Sequence, residues 1–142
     1  MTARPVTLPA CAVTAILLSM AVPALAAFDE ALPYPTEVAL SQEGDKGFVF
    51  RRCPGNQRLY TYDLDTPLRT ACNDACQVNW TPVPASPTAK PLGQWTIIRG
   101  ENRQGQWAYR GKPVYTLLGD PPYAPKGDGQ DGGKWHLLPY EK

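Results

Sequence analysis

The residues that could carry nucleophilic, redox or metal chemistry beyond the N-terminal segment are few: Cys53, Cys72, Cys76 and His136. Cys72 and Cys76 have three residues between them, whereas the familiar redox-active pairs have two. In a regular helix their Cβ atoms would lie about 5–6 Å apart, and a disulfide requires about 3.8 Å. We therefore predict a structural disulfide in a distorted turn, formed in an oxidising compartment.

Cys53 is the odd cysteine of this set, and it follows Arg51 and Arg52, which would favour its thiolate. A buried free thiol, an intermolecular disulfide and a reactive thiol all stay open. We expect Cys53 to be unpaired within the chain. A Cys53–His136 nucleophilic pair would indicate a thiol hydrolase, but His136, beside Trp135 in a predicted strand, is interpreted as a structural histidine.

Metal or cofactor binding is not predicted. If Cys72 and Cys76 form a disulfide, only Cys53 and His136 remain as soft or borderline ligands, and structural zinc requires four nitrogen or sulfur ligands. The segment 128–132, Asp-Gly-Gln-Asp-Gly, partly matches a calcium loop, yet the closing glutamate is missing. Calcium binding by this loop is left open.

A second group of residues recurs along the chain with the same spacing. Each copy has a tyrosine, an aspartate after four intervening residues, and a tryptophan after fourteen more: Tyr60, Asp65 and Trp80, then Tyr115, Asp120 and Trp135. We name the separation in sequence between Tyr60 and Tyr115 the repeat offset. A constant offset shared by three residue types indicates a duplicated supersecondary unit.

This pattern resembles the family of bacterial secreted repeat proteins and lipoproteins named for a Tyr-x4-Asp motif, written Tyr-x-aromatic-x-x-Asp in its fuller form. Tyr60, Tyr62 and Asp65 match the fuller form; the second copy matches the shorter one, because Leu117 stands at the aromatic position. Other segments that resemble the family are Cys72–Cys76, Trp80, Gln106-Trp107-Ala108-Tyr109, Gly111-Lys112-Pro113 and Gly133-Lys134-Trp135-His136. The resemblance covers residues 57–138 and implies an exported, repeat-built module without an established activity.

Residues 1–26 have the organisation of a secretory signal peptide. Arg4 precedes an uncharged, apolar or small run over residues 10–22, and Ala24-Leu25-Ala26 supplies a cleavage pattern. Cys11 precedes that apolar core instead of following it, so a lipoprotein site is not predicted. We expect cleavage near Ala27 and no transmembrane anchor in the mature chain, which would be periplasmic or extracellular.

The predicted mature chain, residues 27–142, is electrically neutral. It has 13 Lys or Arg and 13 Asp or Glu. Nucleic acid is not an expected partner, because such a chain has no basic field to attract phosphates. Its length fits a single domain, and one repeat alone would bury too little surface to be stable.

Mainly β structure is predicted from short β-branched and aromatic runs separated by turn signals, with 13 prolines in the mature chain. We expect a small pseudo-symmetric antiparallel sheet pair or an open barrel built from two repeats of about 55 residues. The first repeat would cover residues 37–80 and the second residues 94–138. Residues 81–93, with four prolines, would be an extended connector.

The motif residues are expected to be structural. Tyr60 and Tyr115 would pack in the core with their hydroxyls at its edge, and Asp65 and Asp120 would cap turns by accepting backbone N–H bonds. A ligand site built from them is the alternative. If the repeats share one domain, we expect Tyr60 to reach Asp120 and Tyr115 to reach Asp65, across a pseudo-twofold axis.

The function predicted from the sequence is that of an exported, non-catalytic module that binds a partner protein or an envelope component. Exposed aromatic side chains, which a domain with short strands cannot fully bury, would be its contact points. The aromatic residues of the motifs, each with either a structural or a binding role, are Tyr60, Tyr62, Trp80, Trp107, Tyr109, Tyr115 and Trp135. The alternative is an envelope redox or metal-handling protein that uses Cys53 or the Cys72/Cys76 pair.

Overall fold

The computed structural model describes residues 32–67, 69–99 and 104–141. The predicted signal peptide, residues 1–26, lies outside these ranges. Within them, no helix is long and apolar enough to cross a membrane.

The described chain is mainly β, with short strands. In chain order they are β1 (Val38–Gln42), β2 (Phe48–Arg52), β3 (Tyr60–Tyr62), β4 (Trp80–Pro82), β5 (Pro84–Ala85), β6 (Trp95–Arg99), β7 (Gly105–Tyr109), β8 (Lys112–Pro113), β9 (Tyr115–Leu117) and β10 (Trp135–Leu137). The helical segments in these ranges are single turns: two 3₁₀ turns (Gly44–Lys46 and Cys76–Val78) and α1 (Gln130–Gly133).

These strands form three antiparallel sheets in the described residues. One is the β1–β2 hairpin, the second has the order β10-β3-β9-β4, and the third has the order β5-β7-β6 with β8 also paired to β7. The predicted mainly β fold is therefore confirmed. The sheets are open and do not close into a barrel.

The central sheet interleaves strands from the two parts of the chain. β3 and β9 lie at its centre, where Tyr60 is the Cα partner of Tyr115. β3 then pairs with β10, and β9 pairs with β4. In these outer pairings Trp135 lies opposite Tyr62, and Trp80 lies opposite Leu117. Each tyrosine strand thus pairs with the tryptophan strand that is remote in sequence.

Backbone hydrogen bonds recur at the repeat offset. The Leu138 N–H donates to the Leu59 carbonyl at 2.9 Å, and the Val83 N–H donates to the Val114 carbonyl at 2.9 Å. A second matching pair joins Asp63 N to Lys134 O at 2.9 Å and Leu118 N to Asn79 O at 2.8 Å. The two ends of the sheet therefore have the same ladder.

Two hydrophobic clusters lie on opposite sides of these strands, because successive side chains of a strand point to opposite faces. Leu59 and Leu138 belong to one cluster, while the adjacent Tyr60 and Leu137 belong to the other. Each cluster contains residues from both the early and the late part of the chain. In the described part of the chain, neither the early nor the late residues form a hydrophobic cluster of their own.

The proline-rich segment 81–93 differs from the predicted extended connector, because its first residues form β4 and β5. Val83 between these strands both donates to Val114 and accepts from Trp107. Pro82 is tolerated at an edge position that offers no N–H to the ladder. The segment that joins the two parts without strand structure is therefore shorter, residues 86–94.

Candidate functional site

The tyrosines and aspartates of the two motif copies bond to each other in a crossed arrangement. The Tyr60 hydroxyl donates to Asp120 Oδ2 at 2.5 Å, and the Tyr115 hydroxyl donates to Asp65 Oδ2 at 2.8 Å. Each tyrosine therefore binds the aspartate of the other copy and not its own, as predicted. Tyr60 and Tyr115 are fully buried.

Both aspartates also cap the loop that follows them, as predicted. Asp65 Oδ1 accepts the Ala71 N–H at 2.6 Å, and Asp120 Oδ1 accepts the Lys126 N–H at 2.7 Å. Each carboxylate thus uses one oxygen for its own loop and the other for the opposite tyrosine. This joins the tip of each loop to the centre of the sheet.

Asp65 can reach this position because β3 ends at Tyr62, before the aspartate. In a straight strand Asp65 would face away from Tyr60. The strand instead ends at Tyr62, and a turn closes when the Asp65 N–H donates to the Tyr62 carbonyl at 3.1 Å. Asp120 turns in the same way, with its N–H donating to the Leu117 carbonyl at 3.2 Å.

The buried tyrosine hydroxyls are held in their neutral form. Burial, followed by the hydrogen bond to Asp120, raises the pKa of Tyr60 well above its ordinary value. Burial is also the main cause of the raised pKa of Tyr115, and the bond to Asp65 adds to it. The pKa of Asp65 is raised by burial, against the opposing effect of its hydrogen bonds to Ala71 and Tyr115. A neutral phenol is a hydrogen-bond donor, which is the role both tyrosines have here.

The two motif tryptophans stack on each other at the centre of this cluster. The rings of Trp80 and Trp135 lie 3.6 Å apart with their planes at 4°. Tyr60 meets Trp80 edge-on at 5.3 Å, and Tyr115 meets Trp135 edge-on at 5.2 Å. Tyr62 extends the stack, 4.4 Å from Trp135. The motif aromatics of this cluster are therefore core residues, as predicted for Tyr60 and Tyr115.

Trp107 and Tyr109 are also buried, but in the other hydrophobic cluster. Their side-chain polar atoms, Trp107 Nε1 and the Tyr109 hydroxyl, have no hydrogen-bond partner among the described residues. Burial raises the pKa of Tyr109, and Glu141 adds to this effect while Arg110 opposes it. These two residues pack the core and are not part of the crossed pairs.

Cys72 and Cys76 form the predicted disulfide, with a Cα–Cα distance of 5.2 Å. The backbone around it is a distorted turn, since Asp74 has a φ of 32° and a 3₁₀ turn begins at Cys76. Cys53 is buried and is also disulfide-bonded. The expectation of an unpaired Cys53 thiol therefore does not hold in this structure.

His136 lies on the outer face of β10 with its side chain about half exposed. Its Nε2 atom lies 2.9 Å from Asp63 Oδ2, and its Cα partner in β3 is Thr61. The side chain that His136 contacts is thus a carboxylate and not Cys53. The arrangement is a surface pair between two strands rather than a nucleophile and its base.

The aspartates of segment 120–133 each have a separate partner. Asp120 binds Tyr60, Asp128 pairs with Lys46 and accepts the Leu137 N–H at 2.9 Å, and Asp131 accepts the Tyr62 hydroxyl at 3.0 Å. In the described ranges, no group of three or more His, Cys, Asp or Glu residues is arranged to hold a metal ion.

Sequence reasoning missed several of these partners. Thr70 contacts the Tyr115 hydroxyl, and the Gly127 N–H donates to the Tyr60 hydroxyl at 3.3 Å. Neither Thr70 nor Gly127 belongs to a local sequence pattern. Only an alignment of their two loops at the repeat offset could have suggested a role for these residues. The large apolar side chains that are exposed were missed as well: Phe48, Leu64, Val78, Leu92, Leu118 and Tyr123.

Comparison with known proteins gives no match: no family model, no curated protein and no solved structure is similar to this chain. Membership in the Tyr-x4-Asp family therefore stays a prediction that depends on the motif residues alone.

Proposed function

We propose that this protein is an exported, non-catalytic binding module built from two repeats of one supersecondary unit. The observation that carries this proposal is the crossed pairing of Tyr60 with Asp120 and of Tyr115 with Asp65. These residues are the most chemically distinctive of the chain, and they bond to each other in the core. Their role is to hold a rigid framework, which leaves recognition to the surface.

The two-repeat origin is supported by the recurrence of whole contacts, not only of residue types. The loop caps at Ala71 and Lys126 and the ladder bonds at Val83 and Leu138 each recur at the repeat offset. Independent loops would not place donors and acceptors at the same spacing. We propose that the Tyr-x4-Asp family resemblance has this physical basis.

The proposed contact surface consists of three exposed apolar side chains, which we name the apolar tip: Val78 and Leu118 at one end of the central sheet, and Tyr123 in the segment that follows Asp120. Their exposed fractions are 69%, 68% and 87%. β4 begins and β9 ends here, where the Leu118 N–H bonds to Asn79. Apolar side chains this exposed are typical of interaction sites when they lie close together.

The test is a capture experiment with envelope extract, in which the mature protein is compared with the variant Val78→Ser, Leu118→Ser, Tyr123→Ser. Phe48→Ser is the matched control, because Phe48 is also exposed, at 52%, but lies on β2. We expect the tip variant to lose the partner and the control to retain it, with unchanged thermal unfolding for both. Equal capture by both variants would refute the apolar tip as the binding surface.

Export is proposed separately, on the pattern of residues 1–26. The measurement is N-terminal sequencing of the protein from a periplasmic or culture-medium fraction. The expected first residue is Ala27. A chain that keeps residue 1 in the cytoplasmic fraction would contradict this proposal.

A further inference from the structure

The two parts of the chain bury their aromatic residues against each other. We define the first half as residues 32–85 and the second half as residues 95–141. In the central sheet the strand order alternates between halves, because β10 and β9 of the second half flank and separate β3 and β4 of the first. Across this boundary Trp80 stacks on Trp135.

Each half therefore presents a surface that only the other half fits. Both crossed Tyr–Asp bonds run between halves, as do the ladder bonds from Leu138 to Leu59 and from Val83 to Val114. Both hydrophobic clusters draw on both halves. A single half of this size buries too little apolar surface to fold alone.

The covalent link between the halves is a segment with few ties to the rest of the protein. Most side chains of residues 86–94 are exposed, and Ala89 is the partly buried one that packs against a cluster. Most of its backbone bonds are local, such as Ala89 N to Ser86 O at 3.1 Å, and at its end the Gln94 carbonyl accepts the Arg110 N–H at 2.9 Å. Opening this segment would cost little of the core.

The composition of the segment also favours an extended form. Pro87 and Pro91 restrict the backbone toward extended conformations. Nine extended residues span about 30 Å, which is the width of a small domain. The link is thus long enough to join halves that belong to two separate lobes.

We propose that two copies of this chain exchange halves, so that the first half of each copy packs on the second half of the other. The partner is a second copy because only this chain supplies the matching tyrosine, aspartate and tryptophan positions. The exchanged dimer uses the same bonds as the monomer, so it requires no new interface. This inference depends on the contacts between halves and is independent of the proposed apolar tip.

The test uses two variants that damage different halves, Trp80→Ala and Trp135→Ala. They are unfolded, mixed at high concentration and refolded with the Cys72–Cys76 disulfide intact. Exchange places the undamaged halves of the two variants in one lobe, which restores one Trp80–Trp135 stack. The readout is the exciton couplet of the stacked indoles in the circular dichroism of the dimer fraction.

About half of the dimers formed at random are mixed, and each mixed dimer has one stack for two chains. We therefore expect the dimer fraction of the mixture to recover about a quarter, per chain, of the couplet that each variant alone has lost. Each variant alone should keep only the signal of other aromatic pairs, such as Trp95 and Trp107. The control mixture is Trp80→Ala with Trp80→Leu, in which no lobe can contain both tryptophans. A mixture of Trp80→Ala and Trp135→Ala that gives no more than the sum of its components overturns the proposal.

A second measurement does not depend on damaged cores. The wild-type chain is unfolded and refolded at high concentration, where exchange between two copies competes with folding within one copy. We expect light scattering to show a dimer that keeps the full couplet. A wild-type chain that refolds only as a monomer under these conditions overturns the proposal.

Discussion

The two loops that follow the tyrosine strands are both tied to the aspartate before them, but they are stabilised by different interactions. We name them the disulfide loop (residues 69–79) and the glycine loop (residues 121–134). Each loop donates one backbone N–H to the aspartate before it. In the disulfide loop, Cys72 and Cys76 are joined covalently. In the glycine loop the equivalent positions hold Gly127 and Asp131, which bond to the hydroxyls of Tyr60 and Tyr62 in the aromatic core.

The loops also protect the outer edges of the central sheet differently. At the edge of β10, the outward N–H of Leu137 donates to Asp128 Oδ1 at 2.9 Å, and the Trp135 carbonyl accepts from Gly129 at 2.8 Å. The residue of β4 equivalent to Leu137 is Pro82, which has no N–H to satisfy. An open strand edge invites association with other chains. The two ends of the same sheet are therefore stabilised differently: one by a disulfide and a proline, the other by hydrogen bonds.

The largest expected effect comes from Gly127→Ala. An added Cβ would lie 2.6 Å from ring atoms of Tyr60 and 2.9 Å from Trp80, and both rings are packed in the core. We expect a loss of about 3 kcal/mol in the free energy of unfolding, at the upper end of overpacking effects. The measurement is urea unfolding.

The control for this change is Lys126→Ala, which keeps the backbone N–H that bonds to Asp120. It should change stability by less than about 0.5 kcal/mol. A Gly127→Ala protein as stable as this control would mean that the glycine loop is not packed as tightly as the disulfide loop.

The next effect concerns the disulfide loop. Replacing both Cys72 and Cys76 by serine opens a short covalent ring, for which we expect a loss of about 2 kcal/mol. Hydrogen exchange should rise in the disulfide loop and remain unchanged in the glycine loop. If both loops exchange faster, the loops are coupled and the comparison between them is too simple.

The crossed pairs should show in the alkaline unfolding of the protein. The folded-state pKa values of Tyr60 and Tyr115 are raised above the unfolded value of about 10. Their stabilising effect is therefore full below about pH 10 and is lost as the pH rises further. Tyr60→Phe and Tyr115→Phe should each cost about 1–2 kcal/mol at pH 7 and weaken the alkaline decline.

Tyr123→Phe is the matched control, since Tyr123 is exposed. The measurement is the free energy of unfolding from about pH 7 to pH 11, with phenolate absorbance recorded in parallel. Equal alkaline declines in the wild type and in both core variants would contradict a role for the crossed pairs in stability.

The smallest effect tests the edge of β10. Asp128→Asn weakens the bond to the Leu137 N–H and removes the ion pair with Lys46. We expect a cost of about 1 kcal/mol at pH 7. Burial raises the pKa of Asp128, but the bonds to Lys46 and the Leu137 N–H outweigh it, so the net pKa is lowered. Its stabilising effect is present above about pH 4 and is lost as the pH falls further.

The pH profile separates this role from general packing. The difference between wild type and Asp128→Asn should shrink steadily as the pH falls below about 4 and the carboxyl becomes protonated. Asp45→Asn is the control, because Asp45 is an exposed carboxylate in the turn before β2. A difference that persists unchanged in acid would show that Asp128 does not act through its charge.

The sequence by itself determined the mainly β class, the disulfide and the crossed partners of the tyrosines. The reason is that these features depend on spacing. Side chains of a strand alternate between its two faces, and Cys72 and Cys76 are near enough in sequence to pair with each other. The Tyr-x4-Asp motif occurs again at the repeat offset in the second part of the chain. Because the motif recurs, its spacing predicts contacts between residues that are distant in sequence.

The tertiary structure alone decided which aromatics are buried, where the strands end and how the edges are closed. Trp80 and Trp135 are far apart in sequence and meet only because strands of the two halves interleave. Likewise, Gly127 is required by the rings of Tyr60 and Trp80 packed above it and not by a turn of its own. Contacts between residues distant in sequence fix these features, and no local pattern encodes them.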